Sequence, residues 1–243
     1  ITAGALTFNS TGYLLDTTIN TTGLTLGGGI TVNAAATNAA ITGHINFNAA
    51  GASVFTVAPG ATLALRSLVA NVNDNYYSTV GGGGTVTVYC AALPQYASVG
   101  SGYSFYVNTL SNGTTLVVNN GTAYANLGGG IQGALQINSG GRFYNNTFHV
   151  FDRGAGNAIW INGGVLAQGV EYYVPSGSVG TPGVQMTGGA WIGGDCRLDG
   201  NGGSKPSAYI TINATNTTAL ITATIHFWQG GTLNLDVSGG SVT

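Results

Sequence analysis

The densest run of reactive side chains is Asp195-Cys196-Arg197-Leu198-Asp199. On an extended strand, positions 195, 197 and 199 share one face. Two carboxylates would then stand beside a guanidinium. Paired carboxylates can hydrolyse a glycosidic bond, and their separation selects the stereochemical outcome. The same groups can also satisfy one another as an Asp–Arg–Asp ion cluster at a corner. That second reading is preferred, so no catalytic residue is assigned, and Asp195, Asp199 and Arg197 stand as the nearest candidates.

Other groupings are sparser. His149 and Asp152 lie close in sequence, but Ser–His–Asp chemistry needs a serine that only the fold can place. His44 and His226 sit in strand patterns and read as structural. Asp199-Gly200-Asn201-Gly202-Gly203 offers a single carboxylate, too few oxygens for Ca²⁺, and reads as a tight polar turn. No cluster has metal-ligand spacing. The glycine runs at 27–29 and 81–84 lack a following Lys-Ser/Thr and a helix, so they are not phosphate loops. The sequence implies no metal and no cofactor.

Aromatic residues are the better binding candidates. Tyr76, Tyr77, Tyr89, Tyr96, Tyr103, Phe105 and Tyr106 fall between 73 and 110, and Tyr172 and Tyr173 lie further on. Exposed rings stack on sugars and anchor interfaces. They can equally serve as local core. The binding set expected from this reasoning is Tyr76, Tyr77, Tyr96, Tyr103, Tyr106, Tyr172 and Tyr173. The two cysteines, Cys90 and Cys196, admit three readings: buried thiols, one disulfide, or reactive groups. A disulfide would fit an oxidising compartment. Asn-x-Ser/Thr sequons at Asn9, Asn20, Asn112, Asn120, Asn145, Asn213 and Asn216 fit a secreted chain, although so much Asn and Thr makes sequons by chance.

Composition narrows the elements that must carry these groups. Of 243 residues only 5% are charged, 42 are glycine, and the formal net charge is −2. One Lys and one Glu leave little helix-favouring sequence, while Thr, Val, Ile and Tyr suit pleated sheets. Scattered arginines and the lack of a basic tract exclude a nucleic-acid surface. No apolar run approaches a membrane-spanning helix. Weak charge favours self-association. The chain begins at Ile1 and ends within a copy of its own repeat, so it reads as an excised piece.

That repeat is strand, Gly-Gly corner, strand. It is clearest at Ala158-Ile159-Trp160-Ile161-Asn162-Gly163-Gly164-Val165-Leu166. Gly-Gly pairs begin at 140, 163, 188, 230 and 239, a period of twenty-odd residues that marks a coil stacking on itself. The expected fold is all-β, a parallel β-helix with a non-repeat insertion. An antiparallel β-sandwich is the alternative. The expected parts are 1–72, an N-terminal cap and first rungs; 73–110, a Tyr/Gly-rich insertion or subdomain; and 111–243, the main rungs. Residues 171–182 are expected to bulge from a corner.

With these corners, and with ITGHINFNAAGASVFTVAPGATLAL at 41–65, the chain resembles passenger domains of bacterial autotransporters and filamentous-haemagglutinin-type adhesins. That resemblance covers most of 20–72 and 130–243. Separately, LPQYASVGSGYSFYVNTLSNGTTLVV at 93–118 resembles a short module of phage tail-fibre and tail-spike proteins. Both families imply an elongated β structure outside a cell or on a virion. Neither brings a catalytic motif that matches here, and the neighbouring aspartates and Gly-His-Gly stretch of polygalacturonase-like enzymes are absent. The expectation is a non-enzymatic extracellular structural or adhesive solenoid that presents a surface to glycans or host cells. The alternatives are a tail-fibre or tail-spike receptor-binding protein and a self-assembling filament subunit, a homo-oligomer or end-to-end polymer.

Overall fold

Short runs that alternate apolar with polar or small residues can bury only one side, and their backbone groups must pair with other runs. In the computed structural model they do so by stacking. The structure describes residues 1–17, 23–48, 53–71, 77–89, 104–111, 113–125, 133–145, 149–150, 159–168, 171–174, 182–198, 209–227 and 232–243. No helix occurs among them.

The first rungs hold β1 (Thr2–Ala3), β2 (Leu6–Phe8), β3 (Leu14–Asp16), β4 (Leu24–Leu26), β5 (Ile30–Val32), β6 (Ala39–Phe47), β7 (Val54–Val57) and β8 (Thr62–Asn71). The middle holds β9 (Tyr77–Gly81), β10 (Thr85–Tyr89), β11 (Ser104–Leu110), β12 (Thr115–Ala125), β13 (Ala134–Asn138), β14 (Gly141–Asn145) and β15 (His149–Val150). Then follow β16 (Ile159–Gln168), β17 (Glu171–Val174), β18 (Pro182–Ile192), β19 (Asp195–Leu198), β20 (Tyr209–Asn213), β21 (Thr218–Ile221), β22 (Thr224–Phe227), β23 (Thr232–Asp236) and β24 (Ser241–Val242).

All pairings between these strands are parallel. The chain is therefore a parallel β-solenoid, and the sandwich alternative, which needs antiparallel hairpins, is not realised. One column runs β3–β6–β8–β10–β12–β13–β16–β18–β20–β23. A second runs β2–β5–β7–β9–β11–β12–β14–β16–β18–β21–β24. Strands β12, β16 and β18 turn a corner midway and serve both. A separate sheet stacks β15–β17–β19–β22.

The core is a set of ladders along the axis. Leu15, Ile41, Leu65, Val88, Val118, Ile137, Ile161, Met186, Ile212 and Leu235 share one register position. From Ile41 to Ile212 each is at most 1% exposed. Burying one such side chain contributes about 1.5–3 kcal/mol, and each side chain contacts the rungs on either side. Phe47, Phe55 and Phe105 pack edge-to-face within the core, with centroids 5.8 and 5.6 Å apart.

Corners allow rungs to approach so closely. Gly163 has φ +79°, which L side chains rarely adopt, and a Cβ on buried Gly164 would lie 2.5 Å from Ile137 Cγ2 and 2.6 Å from Asn138 O. The first glycine supplies the turn, and the second leaves room for the neighbouring rung. Asparagines bind the corners together. Asn138 Nδ2 donates to Asn119 Oδ1 at 2.5 Å, Asn162 Nδ2 to Asn138 Oδ1 at 3.3 Å, and Thr187 Oγ1 to Asn162 Oδ1 at 3.2 Å.

Two stretches expected to break the repeat carry rung strands among their described residues. Within 73–110, β9, β10 and β11 continue the ladder in register with their neighbours. Residues 72–76 and 90–103 lie outside the described residues. Within 171–182, β17 and the start of β18 are likewise rung strands, and 175–181 lie outside the description. At the two ends of the described stack, β1, β2 and β3 pair on one edge only, as do β23 and β24.

Candidate functional site

Three surfaces of the rod gather chemistry. The first is the sheet of β15, β17, β19 and β22. Its register stacks Glu171, Asp195 and Thr224 in one row, and Val150, Tyr173, Arg197 and His226 in another. A third row holds His149, Tyr172, Cys196 and Ile225. In the last strand Thr224 and His226 are exposed, while Ile225 packs on the core. Asp195 and Arg197 thus hold the register positions of two exposed residues, and Glu171 is added beside Asp195. In a chain with so few charges, these four short strands carry Glu171, Asp195, Arg197 and two histidines. Asp199 lies outside the described residues. So does Cys90, and with it the disulfide reading for Cys90 and Cys196. The neighbouring Asp152 and Arg153 are outside as well.

The second surface follows the second column of strands. Tyr77, Tyr106, Tyr124 and Tyr144 occupy one register position in β9, β11, β12 and β14. The column continues through Ala167 to exposed Ile192. These positions alternate with core residues, since Phe105, Val107 and Phe143 are buried. Tyr144 is half-buried, and Arg142, two residues earlier, is exposed. Of the expected binding set, Tyr77 and Tyr106 fall in this column, and Tyr172 and Tyr173 fall in the charged sheet. Tyr76, Tyr96 and Tyr103 lie outside the described residues. Phe105, for which surface and core readings were both open, lies in the core at 1% exposure. Tyr89 faces a partner of its own, with Arg66 Cζ 5.3 Å from its ring centroid.

The third surface is the outer side of the first column. Its register row reads Val117, Gln136, Trp160, Gln185, Thr211 and Asn234. Trp160 is partly exposed, and its Nε1–H donates to Gln185 Oε1 at 3.2 Å. Gln136 Nε2 donates to Asn138 Oδ1 at 2.9 Å. No charged residue stands in this row.

Sequence reasoning missed Trp160, Gln136, Gln185, Glu171, Tyr124 and Tyr144. The available signal was the Gly-Gly corner. Aligned on it, Gln136, Trp160 and Gln185 each precede the first glycine by three or four residues.

Elsewhere, burial lowers the pKa of the half-buried His44 below 6.5, so its imidazole is neutral near pH 7. A cavity of about 300 Å³ opens at the first rung, lined by Leu6, Phe8, Tyr13, Leu14 and Leu15 among others. It is the end of the apolar interior and holds no titratable cluster. Among the described residues, no group of three or more His, Cys, Asp or Glu could hold a metal ion. None of their helices could cross a membrane either, since they form none.

No family model matches the chain, and no curated protein and no solved structure matches it either.

Proposed function

We propose that the protein is a non-catalytic, extracellular structural or adhesive rod that binds surface glycans along its length. The observation that carries this reading is the tyrosine column. Four tyrosines in successive rungs repeat at about the 4.8 Å strand spacing, which suits an extended polymer lying along the axis. A solenoid supports such a row rigidly, because each rung is fixed by two neighbours. Stacking on phenol rings needs little charge, and this chain has little.

A glycan array tests it directly. Wild-type protein is expected to bind, and Tyr106→Ala and Tyr144→Ala are expected to lose that binding while keeping their β circular dichroism. Unchanged binding in both variants would demote the column to packing. The non-catalytic part has its own test. Release of reducing sugar from a bound polysaccharide, abolished by Asp195→Asn or Glu171→Gln, would make the charged sheet an active site.

A second reading, a self-assembling filament subunit, is favoured by the weak charge of the chain, which gives little repulsion between copies. Electron microscopy of negatively stained samples at rising concentration separates rods of one length from growing fibres.

A further inference from the structure

We infer that the outer face around Trp160 is a second binding site, specific for an uncharged polysaccharide. It extends the glycan-binding reading but rests on different residues. Trp160 presents a partly exposed indole. Its neighbours in the register row are the polar Gln136 and Gln185. An indole nitrogen only donates. Its bond to Gln185 therefore fixes that amide with the oxygen toward the ring, and Gln185 Nε2 is left over as a donor. On the other side, the Gln136 amide is fixed by its donation to Asn138. Its Oε1 is left over as an acceptor. Neither atom has a hydrogen-bond partner among the described residues.

The result is a partly exposed aromatic plane with a donor one rung away and an acceptor one rung the other way, neither of them bonded among the described residues. The two amides are about 9.5 Å apart along the axis. A sugar ring carries apolar C–H faces and hydroxyls that both donate and accept. Stacked on Trp160, it can take a hydrogen bond from Gln185 and give one to Gln136. Thr211 and Asn162 line the same side with further uncharged groups. A row without a charged residue has nothing to pair with a uronate or sulfate, so the ligand class is neutral.

Native affinity electrophoresis with laminarin, hydroxyethylcellulose and galactomannan in the gel reads this site. At least one polymer is expected to retard the wild-type chain. Trp160→Ala should weaken that retention by about tenfold or more, as loss of an aromatic anchor does. Trp160→Tyr should restore part of it, and Gln185→Leu should weaken it with the indole intact. Retention should not change when salt is raised, because no ion pair is screened. Circular dichroism checks each fold, and Gln185→Leu decides the matter if Trp160→Ala fails to fold. No retention by any of the three polymers overturns the inference. So does retention that survives both substitutions, or that disappears with salt. Tyr106→Ala separates this site from the tyrosine column. Loss there with Trp160→Ala unaffected overturns this inference alone. Loss in Trp160→Ala with Tyr106→Ala unaffected supports it, and the tyrosine column then stands or falls by the glycan array.

Discussion

Trp160 and Ile161 are adjacent on β16, yet they belong to two columns with opposite rules. The Ile161 column is Leu, Ile, Leu, Val, Val, Ile, Ile, Met, Ile, Leu from end to end. The Trp160 column runs Ala40, Ala64, Thr87, Val117, Gln136, Trp160, Gln185, Thr211, Asn234. Inside, each side chain must fill the same cross-section and contact the rungs on both sides, so only aliphatics of similar volume fit. Outside, the backbone already satisfies itself through the ladder, and the side chain is free to vary. In a solenoid the repeat is therefore structural, and function is sought where the outer columns depart from it.

The inner column is the more sensitive to substitution. Ile161→Ala should cost about 2–5 kcal/mol, as truncation of a closely packed aliphatic does. Hydrogen exchange should show the loss concentrated in β13, β16 and β18, because stability in a stacked repeat is largely a sum over neighbours. An even loss along the whole rod would argue for one cooperative unit instead. Next comes the corner. Gly164→Ala should cost about 1–3 kcal/mol, since its Cβ would meet Asn138 O and the Ile137 side chain. Thermal unfolding reads it, and a neutral result would mean that the rungs can separate.

Asn138→Ala sharpens the contrast between covered and exposed polar groups. Asn138 exchanges hydrogen bonds with Asn119, Gln136 and Asn162. Its loss should cost about 1–2 kcal/mol in denaturant unfolding. His44 tests burial in another way. Its folded pKa is lowered by desolvation, so the unfolded chain takes the proton first. Stability should be level above about pH 6.5 and should fall as pH drops below it toward the folded pKa. His44→Gln should flatten that fall, and an unchanged pH profile would show that His44 does not set it. The smallest effect belongs to the outer column. Trp160→Ala should change stability by no more than about 0.5 kcal/mol while losing ligand. A large loss of stability would make Trp160 a packing residue.

Much of the architecture was legible. Alternation at Ile159–Ile161 and Val184–Met186, with Gly-Gly following each, is sufficient for stacked strands turning at corners. Register was not legible, because successive members of the inner column are separated by as few as 19 residues (Val118 to Ile137) and as many as 30 (Val88 to Val118). With rungs of uneven length, a fixed spacing cannot say that Glu171 sits beside Asp195 or that Tyr106 lies between Tyr77 and Tyr124. The Tyr/Gly-rich stretch looked foreign to the repeat because it is crowded with tyrosines. Yet its strands join the ladder, and Phe105 lies in the core. Likewise, Trp160 sat in the clearest copy of the repeat and was read as scaffold.

Alternating short runs, few helix formers and paired glycines are enough for an all-β chain that stacks on itself and turns at glycine corners. Alternation and backbone freedom are local properties, carried by neighbouring residues. Which side chains from different rungs form a row is settled by the stacking. That depends on the length of every intervening loop, and rows, not segments, make the surfaces this rod presents.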